Sequence, residues 1–388
     1  MRDEGVIPSA AEREESPAQG DSSPSSRLRV TRVQVGCYTI PTESPESDGT
    51  FEWNATTLVT VHLGAGDATG FGYSYADSAT ATLIRDHLAS LVRDHDAFDI
   101  DACWAAMIRS VRNLGRRGIA AMAISAVDNA MWDLKAKLLD LPLVSLLGQV
   151  RDAAPVYGSG GFTSYSIDEL QAQLAGWANE GIGRVKMKTG RDAAADRERV
   201  RAAREAIGDD VELFVDANGA YSRKQALEQA EAFATQNVRW FEEPVSSDDL
   251  DGLHLIRHRA PACMDIAAGE YGYELQYFDE MIAAGAIDVL QADATRCCGI
   301  TGMIKTSAIC EARSMPLSAH CAPSLHAHIG CALLPMRHLE YFFDHVRIES
   351  MLFDGFTAPA GGAIHPDLSR PGLGVELKVR DAERYSAK

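Results

Sequence analysis

The sequence predicts an α/β protein in which a closed β/α barrel follows a smaller α+β domain. From residue 155 onward, eight short apolar runs alternate with helical patterns, which is typical of parallel strands joined by crossover helices. Most of these runs end in an ionisable residue, as expected where a parallel barrel presents a site at the carboxyl ends of its strands. A chain of 388 residues is long enough for both units.

Composition narrows the function classes. The formal net charge of −18 argues against nucleic acid or an anionic membrane surface as the main partner, because both require a basic face. The sequence has no apolar run of membrane-spanning length and no signal sequence, which predicts a cytoplasmic protein. Eight cysteines without C-x-x-C spacing indicate reduced thiols and not disulfides or a zinc site.

The N-terminal elements are predicted in order. Residues 1–27 are polar and rich in Ser and Pro, so we expect a disordered tail. Residues 28–150 form the α+β domain. Its predicted strands are 28–35, 57–63 and 70–74, and its predicted helices are 79–94, 98–111 and 119–139. The polar stretch 42–54 is predicted to be a loop too long for a simple hairpin, and it is either a lid or a connector.

The barrel is assigned to residues 151–345. Its predicted strands are 154–158, 183–187, 211–216, 238–241, 264–269, 287–292, 316–319 and 337–341. Right-handed crossovers between eight such strands close a barrel. An open doubly wound sheet is the alternative, but Gly158-Ser159-Gly160 lacks the full phosphate-binding fingerprint of that fold. Residues 346–388 carry few helix signals, and we expect them to pack on the N-terminal domain.

Three carboxylates end consecutive predicted strands. Asp216, Glu242 and Glu270 should therefore converge on one side of the barrel mouth. Three ionised carboxylates cannot share that space without a cation, and a ligand set made only of oxygen suits Mg²⁺. Each acid could instead cap the helix that follows it, but three such caps in succession are a weaker explanation. The sequence predicts one Mg²⁺ site.

Two lysines alternate along one predicted strand. Lys186 and Lys188 should face the same side of that strand, which in a barrel is the interior. Burial and the like charge of the neighbouring lysine are expected to lower both pKa values, so that one lysine can act as a base near neutral pH. Two surface lysines are the alternative explanation.

Three further ionisable residues follow on the next strands. Asp293 and His320 lie on neighbouring strands, where a carboxylate can fix the tautomer of the imidazole and stabilise its protonated form. Glu340 follows an apolar pair one strand later. It can donate a hydrogen bond if its environment keeps it protonated.

These residues resemble the enolase superfamily and, within it, the mandelate racemase group. The matching motifs are Val185-Lys186-Met187-Lys188, Val215-Asp216-Ala217-Asn218, Trp240-Phe241-Glu242-Glu243-Pro244, Gly269-Glu270, Asp293, His320 and His338-Leu339-Glu340. The resemblance covers about residues 28–380. It implies a (β/α)7β TIM-like barrel with an α+β N-terminal capping domain, one Mg²⁺ and an ene-diolate mechanism with Lys or His bases.

The resemblance also implies roles for the site. Lys188, His320, Asp293, Lys186 and Glu340 are assigned to catalysis. Substrate binding is assigned to Lys186, Asn218, Arg296 and Asp48, and metal binding to Asp216, Glu242 and Glu270. We expect a small-molecule carboxylate as the substrate and a homo-oligomer as the assembly.

Four functions remain open at this stage. The favoured hypothesis is a dehydratase of an acid sugar, an aldonate or aldarate, that yields a 2-keto-3-deoxy acid. A racemase or epimerase of a 2-hydroxy acid would use Lys188 and His320 as opposed bases. A non-catalytic member should have lost at least one of these residues, and a metallohydrolase barrel would need histidine ligands that this sequence lacks.

Overall fold

The computed structural model describes Met1 and residues 28–387; the tail predicted for residues 1–27 lies outside that range, apart from Met1. In chain order the strands and helices are β1 Arg32–Ser47, β2 Glu52–Ala65, β3 Ala68–Tyr75, α1 Ser78–Leu83, α2 Ile100–Ser110, α3 Ile119–Leu138, α4 Leu143–Leu147, β4 Ala154–Gly160, α5 Ile167–Asn179, β5 Arg184–Lys188, α6 Ala193–Ile207, β6 Glu212–Asp216, α7 Arg223–Ala234, β7 Val238–Glu242, α8 Leu250–Arg259, β8 Asp265–Ala268, α9 Leu275–Ala283, β9 Val289–Ala292, α10 Gly299–Ala312, β10 Leu317–Ala319, α11 Pro323–Ala332, β11 Met336–Phe342, α12 Phe343–Leu352, β12 Phe353–Asp354, β13 Ala363–Ile364, β14 Glu376–Leu377 and α13 Val379–Ala382.

The barrel prediction is confirmed. Strands β4 to β11 pair in sequence order, all parallel, and β11 pairs with β4 to close the cylinder. Helices α5 to α11 lie between consecutive strands. The lower interior is filled by Tyr157, Phe214 and Trp240, with Phe214 and Trp240 stacked at 5.3 Å between ring centroids. The polar side chains above this apolar layer are thereby held at the mouth of the barrel.

The N-terminal domain is an antiparallel sheet, β1-β2-β3, covered by α3. Helix α3 lies directly on β3 because two glycines leave room for it. A Cβ atom on Gly72 would meet the Ala126 carbonyl oxygen at 2.3 Å, and one on Gly70 would meet the Ala130 carbonyl oxygen at 2.3 Å. The helix predicted at 79–94 is only partly correct, since α1 ends at Leu83 and passes into short π and 3-10 turns.

The loop predicted for residues 42–54 is wrong. Strands β1 and β2 continue through most of it, pairing Ser47 with Glu52 after a register shift between Pro41 and Glu46. Only the tip, residues 48–51, is a turn. The indole N–H of Trp53 donates to Glu46 across the hairpin at 2.9 Å, which helps to hold the polar strands in register.

The C-terminal segment contains more helix than predicted, since α12 spans Phe343–Leu352. This segment contacts the N-terminal domain through a bridge between Pro142 and Gly372 and another between Tyr38 and Ser386. Among the described residues, none of the helices combines the length and the apolar character needed to cross a membrane.

Candidate active site

The candidate site is a cavity of about 310 Å³ between the barrel mouth and the tip of the β1-β2 hairpin. Its barrel side contains Lys188, Glu270 and His320, and its other side contains Asp48 and Trp53 of the hairpin. The tip is docked on the barrel, where Thr163 bonds to the Ser47 carbonyl oxygen at 2.8 Å and to the Asp48 carbonyl oxygen at 2.6 Å. Two domains therefore enclose one cavity.

The structure brings together three buried acids that we call the carboxylate cluster: Asp216, Glu242 and Glu270. Asp216 and Glu242 end β6 and β7, and Glu270 follows β8 by two residues. One oxygen from each lies within 4.8 Å of the others. Burial, together with the charge of Asp216, raises the pKa of Glu242 to about 8. An acid set this close and this buried fits a divalent cation with oxygen ligands.

One oxygen of the cluster supports this fit. Glu270 Oε2 accepts no hydrogen bond among the described residues, and His320 Nε2 lies 3.2 Å from it. A buried carboxylate oxygen without a partner carries a desolvation penalty that a bound cation would remove. The residues present therefore fit Mg²⁺, and no sulfur or histidine ligand is needed.

The two lysines do face the interior, but their pKa values are shifted in the direction opposite to the prediction. Lys186 Nζ lies 2.5 Å from Glu242 and 2.8 Å from Glu340, and Lys188 Nζ lies 2.5 Å from Asp216. Burial lowers the pKa of Lys188, but the Asp216 carboxylate raises it more, so the net pKa is above the usual value. The pKa of Lys186 is raised in the same way by Glu242 and Glu340. The prediction that both lysine pKa values are lowered is therefore wrong for this structure, because more acids than lysines surround each amine.

His320 and Asp293 form the expected pair. His320 Nδ1 lies 2.8 Å from Asp293 Oδ2, and the backbone N–H of Thr295 donates to Asp293 Oδ1 at 2.6 Å. Burial alone would raise the pKa of Asp293, but the hydrogen bond and the charge of His320 have the larger effect, and the net pKa is well below the usual range. The ionised Asp293 thus holds a proton on Nδ1 and leaves Nε2 facing the cavity.

Glu340 accepts hydrogen bonds from residues at or just past the ends of two other strands, β4 and β10. Ser159 donates to its Oε1 at 2.5 Å, and the Cys321 backbone N–H donates to its Oε2 at 3.1 Å. Burial alone would raise the pKa of Glu340, but the charge of Lys186 has the larger effect, and the net pKa is below the usual range. Glu340 is therefore ionised in this arrangement because Lys186 stabilises its carboxylate, so the condition under which it could donate a hydrogen bond is not met here.

The predicted substrate-binding residues lie in different parts of the cavity. Asn218 accepts from Lys188 at 3.0 Å. The Arg296 guanidinium donates to the Glu270 carbonyl oxygen at 3.0 Å and lies 5.4 Å from the ring centre of Tyr271. Asp48 sits at the hairpin tip, where its Oδ1 accepts the backbone N–H of Phe51 at 2.7 Å. All three line the cavity.

Several cavity residues were missed by sequence reasoning. Cys321 directly follows His320, and its Sγ lies 3.2 Å from His320 Nε2; its position next to a candidate catalytic histidine was the available signal. Thr56, Tyr75 and His345 also line the cavity. They come from the N-terminal sheet and α12, and no local pattern distinguishes them.

Comparison with known proteins gives matches over most of the chain. Residues 37–148 match the family described as mandelate racemase / muconate lactonizing enzyme, N-terminal domain, and residues 169–382 match the family described as enolase C-terminal domain-like. A 3,6-anhydro-alpha-L-galactonate cycloisomerase of Streptomyces coelicolor is 33% identical over 90% of this chain and 97% of its own. An L-talarate/galactarate dehydratase of Salmonella typhimurium is 34% identical over 70% of this chain and 69% of its own.

Solved structures agree with these matches. A mandelate racemase/muconate lactonizing enzyme-like protein from Rubrobacter xylanophilus is 53% identical, with a TM-score of 0.91 over 92% of this chain and all of its own. A racemase from Streptomyces coelicolor with bound magnesium is 32% identical, with a TM-score of 0.87 over 92% of this chain and all of its own.

Proposed function

Because the chain belongs to the mandelate racemase/muconate lactonizing enzyme family of the enolase superfamily, we propose that it is a magnesium-dependent dehydratase. Its substrate is an acid sugar and its product a 2-keto-3-deoxy acid. Proton abstraction is supported by the position of Lys188 and the His320-Asp293 pair beside different acids of one carboxylate cluster, and dehydration in particular is supported by the relative that is an L-talarate/galactarate dehydratase.

The carboxylate cluster, Asp216, Glu242 and Glu270, would hold the Mg²⁺. When bound, the ion supplies positive charge that favours binding of the substrate carboxylate and the negative charge that develops on its oxygens during proton removal. Lys186 is anchored by Glu242 and Glu340 and adds a second positive group at the same end of the cavity.

Proton transfer is assigned to two residues. These are Lys188 and His320. Whichever of them faces the α-proton of the bound acid removes it, and His320 donates its Nε2 proton to the β-hydroxyl as the carbon-oxygen bond breaks. The hydroxyl leaves as water, and the resulting enol tautomerises to the 2-keto acid. Asp293 keeps Nδ1 protonated throughout. In the Mg²⁺-bound site, the negative charge of Asp216 would be offset by the cation. Asp216 would then raise the pKa of Lys188 less, which would favour Lys188 as a base.

Racemisation or epimerisation of a 2-hydroxy acid is the second candidate, and the presence of two acid/base groups on different strands favours it. A solved relative described as a racemase supports this possibility. The two reactions differ in product, because only dehydration breaks the carbon-oxygen bond. A homo-oligomeric assembly and a cytoplasmic location stay predictions.

The test is a screen of the purified protein with Mg²⁺ against mono- and diacid sugars, with 2-keto acid detected by semicarbazide. Dehydration predicts keto acid that disappears on chelation and returns with Mg²⁺. The matched variant Asp216→Asn should not respond to added Mg²⁺, in activity or in thermal stability. Inversion of optical rotation without keto acid would instead identify a racemase or epimerase.

A further inference from the structure

The cavity continues past the catalytic groups to a surface that we call the far wall: Asp48, Phe51, Trp53, Thr56, Tyr75 and His345. We propose that this wall selects a monocarboxylate whose far end is neutral and hydroxylated, and that it rejects dicarboxylates. The inference rests on the proposed function, which places the reacting carboxylate at the metal end.

The permanently cationic side chains that line the cavity are Lys188 and Arg296, among the residues that the structure describes. Both lie at the metal end and both are already engaged with acids. Lys188 pairs with Asp216 at 2.5 Å, and Arg296 lies 3.6 Å from Glu270 and 3.9 Å from Asp293. Both cations are therefore engaged with acids of the carboxylate cluster and its neighbour Asp293.

His345 does not supply the missing charge. Its ring stacks on Tyr75 with centroids 3.4 Å apart, and its Nδ1 accepts the backbone N–H of Ala322 at 3.4 Å. Nδ1 therefore acts as an acceptor, which fits a neutral imidazole with its proton on Nε2. Burial and the nearby His320 lower the pKa of His345 to about 3, in agreement with this geometry.

Arg347, an arginine next to the wall residue Thr56 through their shared partner Asp344, is also engaged with other groups. Arg347 donates to Asp344 at 2.6 Å and to the Pro41 carbonyl oxygen at 2.9 Å. The hydroxyl of Thr56 donates to the same Asp344, so Thr56 offers the cavity an acceptor and not a donor.

The charge and hydrogen-bond character of the wall suit a hydroxyl. Asp48 uses Oδ1 for the hairpin turn, where it accepts the backbone N–H of Thr50 and Phe51, so its Oδ2 is available as an acceptor. A substrate hydroxyl can donate to Asp48 or Thr56 and accept from His345. A carboxylate can only accept, and it would face the negative charge of Asp48.

The expected discrimination is large. A carboxylate that leaves water without a charged partner costs several kcal/mol, and each 1.4 kcal/mol is a factor of ten. We therefore expect kcat/KM for an aldonate to exceed that for the aldarate of the same configuration by about 100-fold or more. The two acids differ only in CH₂OH or COO⁻ at the far end.

The experiment measures matched aldonate and aldarate pairs in two ways: kcat/KM for keto acid formation, and the increase in melting temperature of the Mg²⁺-loaded protein. Asp48→Asn is the informative variant, because Asn Oδ1 can accept the same backbone N–H groups and keep the turn. It should reduce the aldonate preference by about tenfold. Asp67→Asn, an exposed acid in the β2-β3 turn, is the matched control and should leave the preference unchanged.

The outcomes separate the two proposals. Equal or stronger binding and turnover of aldarates would overturn the selection for monocarboxylates, even if keto acid is formed. Tighter binding of aldonates without keto acid or α-proton exchange would support the selection and overturn dehydration. If neither acid of any pair raises the melting temperature or reacts, both proposals fail.

Discussion

At the scale of single residues, Lys188 and His320 should have separable effects on the reaction. His320→Asn removes the proposed proton donor, so keto acid formation should fall by about 10³-fold. Acids whose α-proton faces Lys188 should still exchange that proton with D₂O, as followed by NMR. Lys188→Met should abolish this exchange.

The comparison of the two variants includes its own control, since each keeps the other group. The assignment of His320 fails if His320→Asn forms keto acid at the wild-type rate. Loss of both exchange and product in His320→Asn, on every acid tested, would show that His320 also removes the α-proton.

At the scale of elements, Asp133 of α3 joins three parts of the chain. It accepts the backbone N–H of Phe71 in β3 and of Leu373 in the C-terminal segment, each at 2.6 Å, and it pairs with Lys137 at 2.9 Å. Asp133→Ala would leave two buried N–H groups and one lysine without their partner. We expect a loss of about 3–5 kcal/mol in the free energy of unfolding, measured by urea denaturation.

Asp101→Ala on α2 is the matched control for this prediction. Asp101 is exposed and pairs with Lys305 at 3.4 Å on the surface, so its loss should cost less than about 1 kcal/mol. Similar effects of the two variants would contradict the role given to Asp133.

A second element-scale prediction concerns Glu349, which connects α12 to β3. It accepts from Tyr73 at 2.9 Å and Tyr75 at 3.2 Å, and from the Ser324 backbone N–H at 2.9 Å. Burial raises its pKa from 4.5 to about 7. Because the folded pKa is the higher one, folding favours the protonated acid, and the associated stability is present below about pH 4.5 and is lost as the pH rises through about 7.

A rise in the pKa of Glu349 from 4.5 to about 7 corresponds to at most about 3 kcal/mol of stability. Glu349→Gln stays neutral: its amide oxygen can accept the Ser324 backbone N–H, and its NH₂ group can donate to the Tyr73 and Tyr75 hydroxyl oxygens. Between pH 5 and pH 8, the wild type should therefore lose stability relative to Glu349→Gln, as measured by urea denaturation. A difference that does not change with pH would show that Glu349 does not titrate in this range.

At the scale of the whole molecule, the cavity depends on the docking of the N-terminal hairpin on the barrel. Gly49 is at the contact, where a Cβ atom would meet the Ala217 carbonyl oxygen at 2.5 Å and the Thr189 carbonyl oxygen at 2.6 Å. Gly49→Ala should move the tip away from the mouth, raise KM and lower kcat/KM by about 100-fold, because small displacements of positioning groups are costly.

The melting temperature should change little, since the tip contributes little to either core. Gly176→Ala in α5 is the control: a Cβ atom there meets nothing within 4 Å, so activity should stay at the wild-type value. Unchanged kinetics in Gly49→Ala would show that the tip does not help to position substrate.

The sequence by itself determined the order of the barrel strands and the residues that end them. Acids at the ends of Leu213-Phe214-Val215 and Arg239-Trp240-Phe241 must reach the same edge once those runs pair in parallel, so the carboxylate cluster was predictable from local pattern and connectivity. The same logic predicted the contact between Asp293 and His320 on neighbouring strands.

Only the tertiary structure decided the protonation of the buried lysines and the identity of the residues that form the far wall. Strand order places Lys188 beside Asp216, but whether Lys188 gains or loses affinity for its proton depends on the balance between its burial and its distances to Asp216 and Lys186, which only the folded side chains set. Thr56, Tyr75 and His345 reach the cavity because β2, β3 and α12 fold over the barrel. Electrostatic and packing energies depend on through-space separation, and residues as far apart in the sequence as Pro41 and Arg347 become neighbours only when the two domains close on each other.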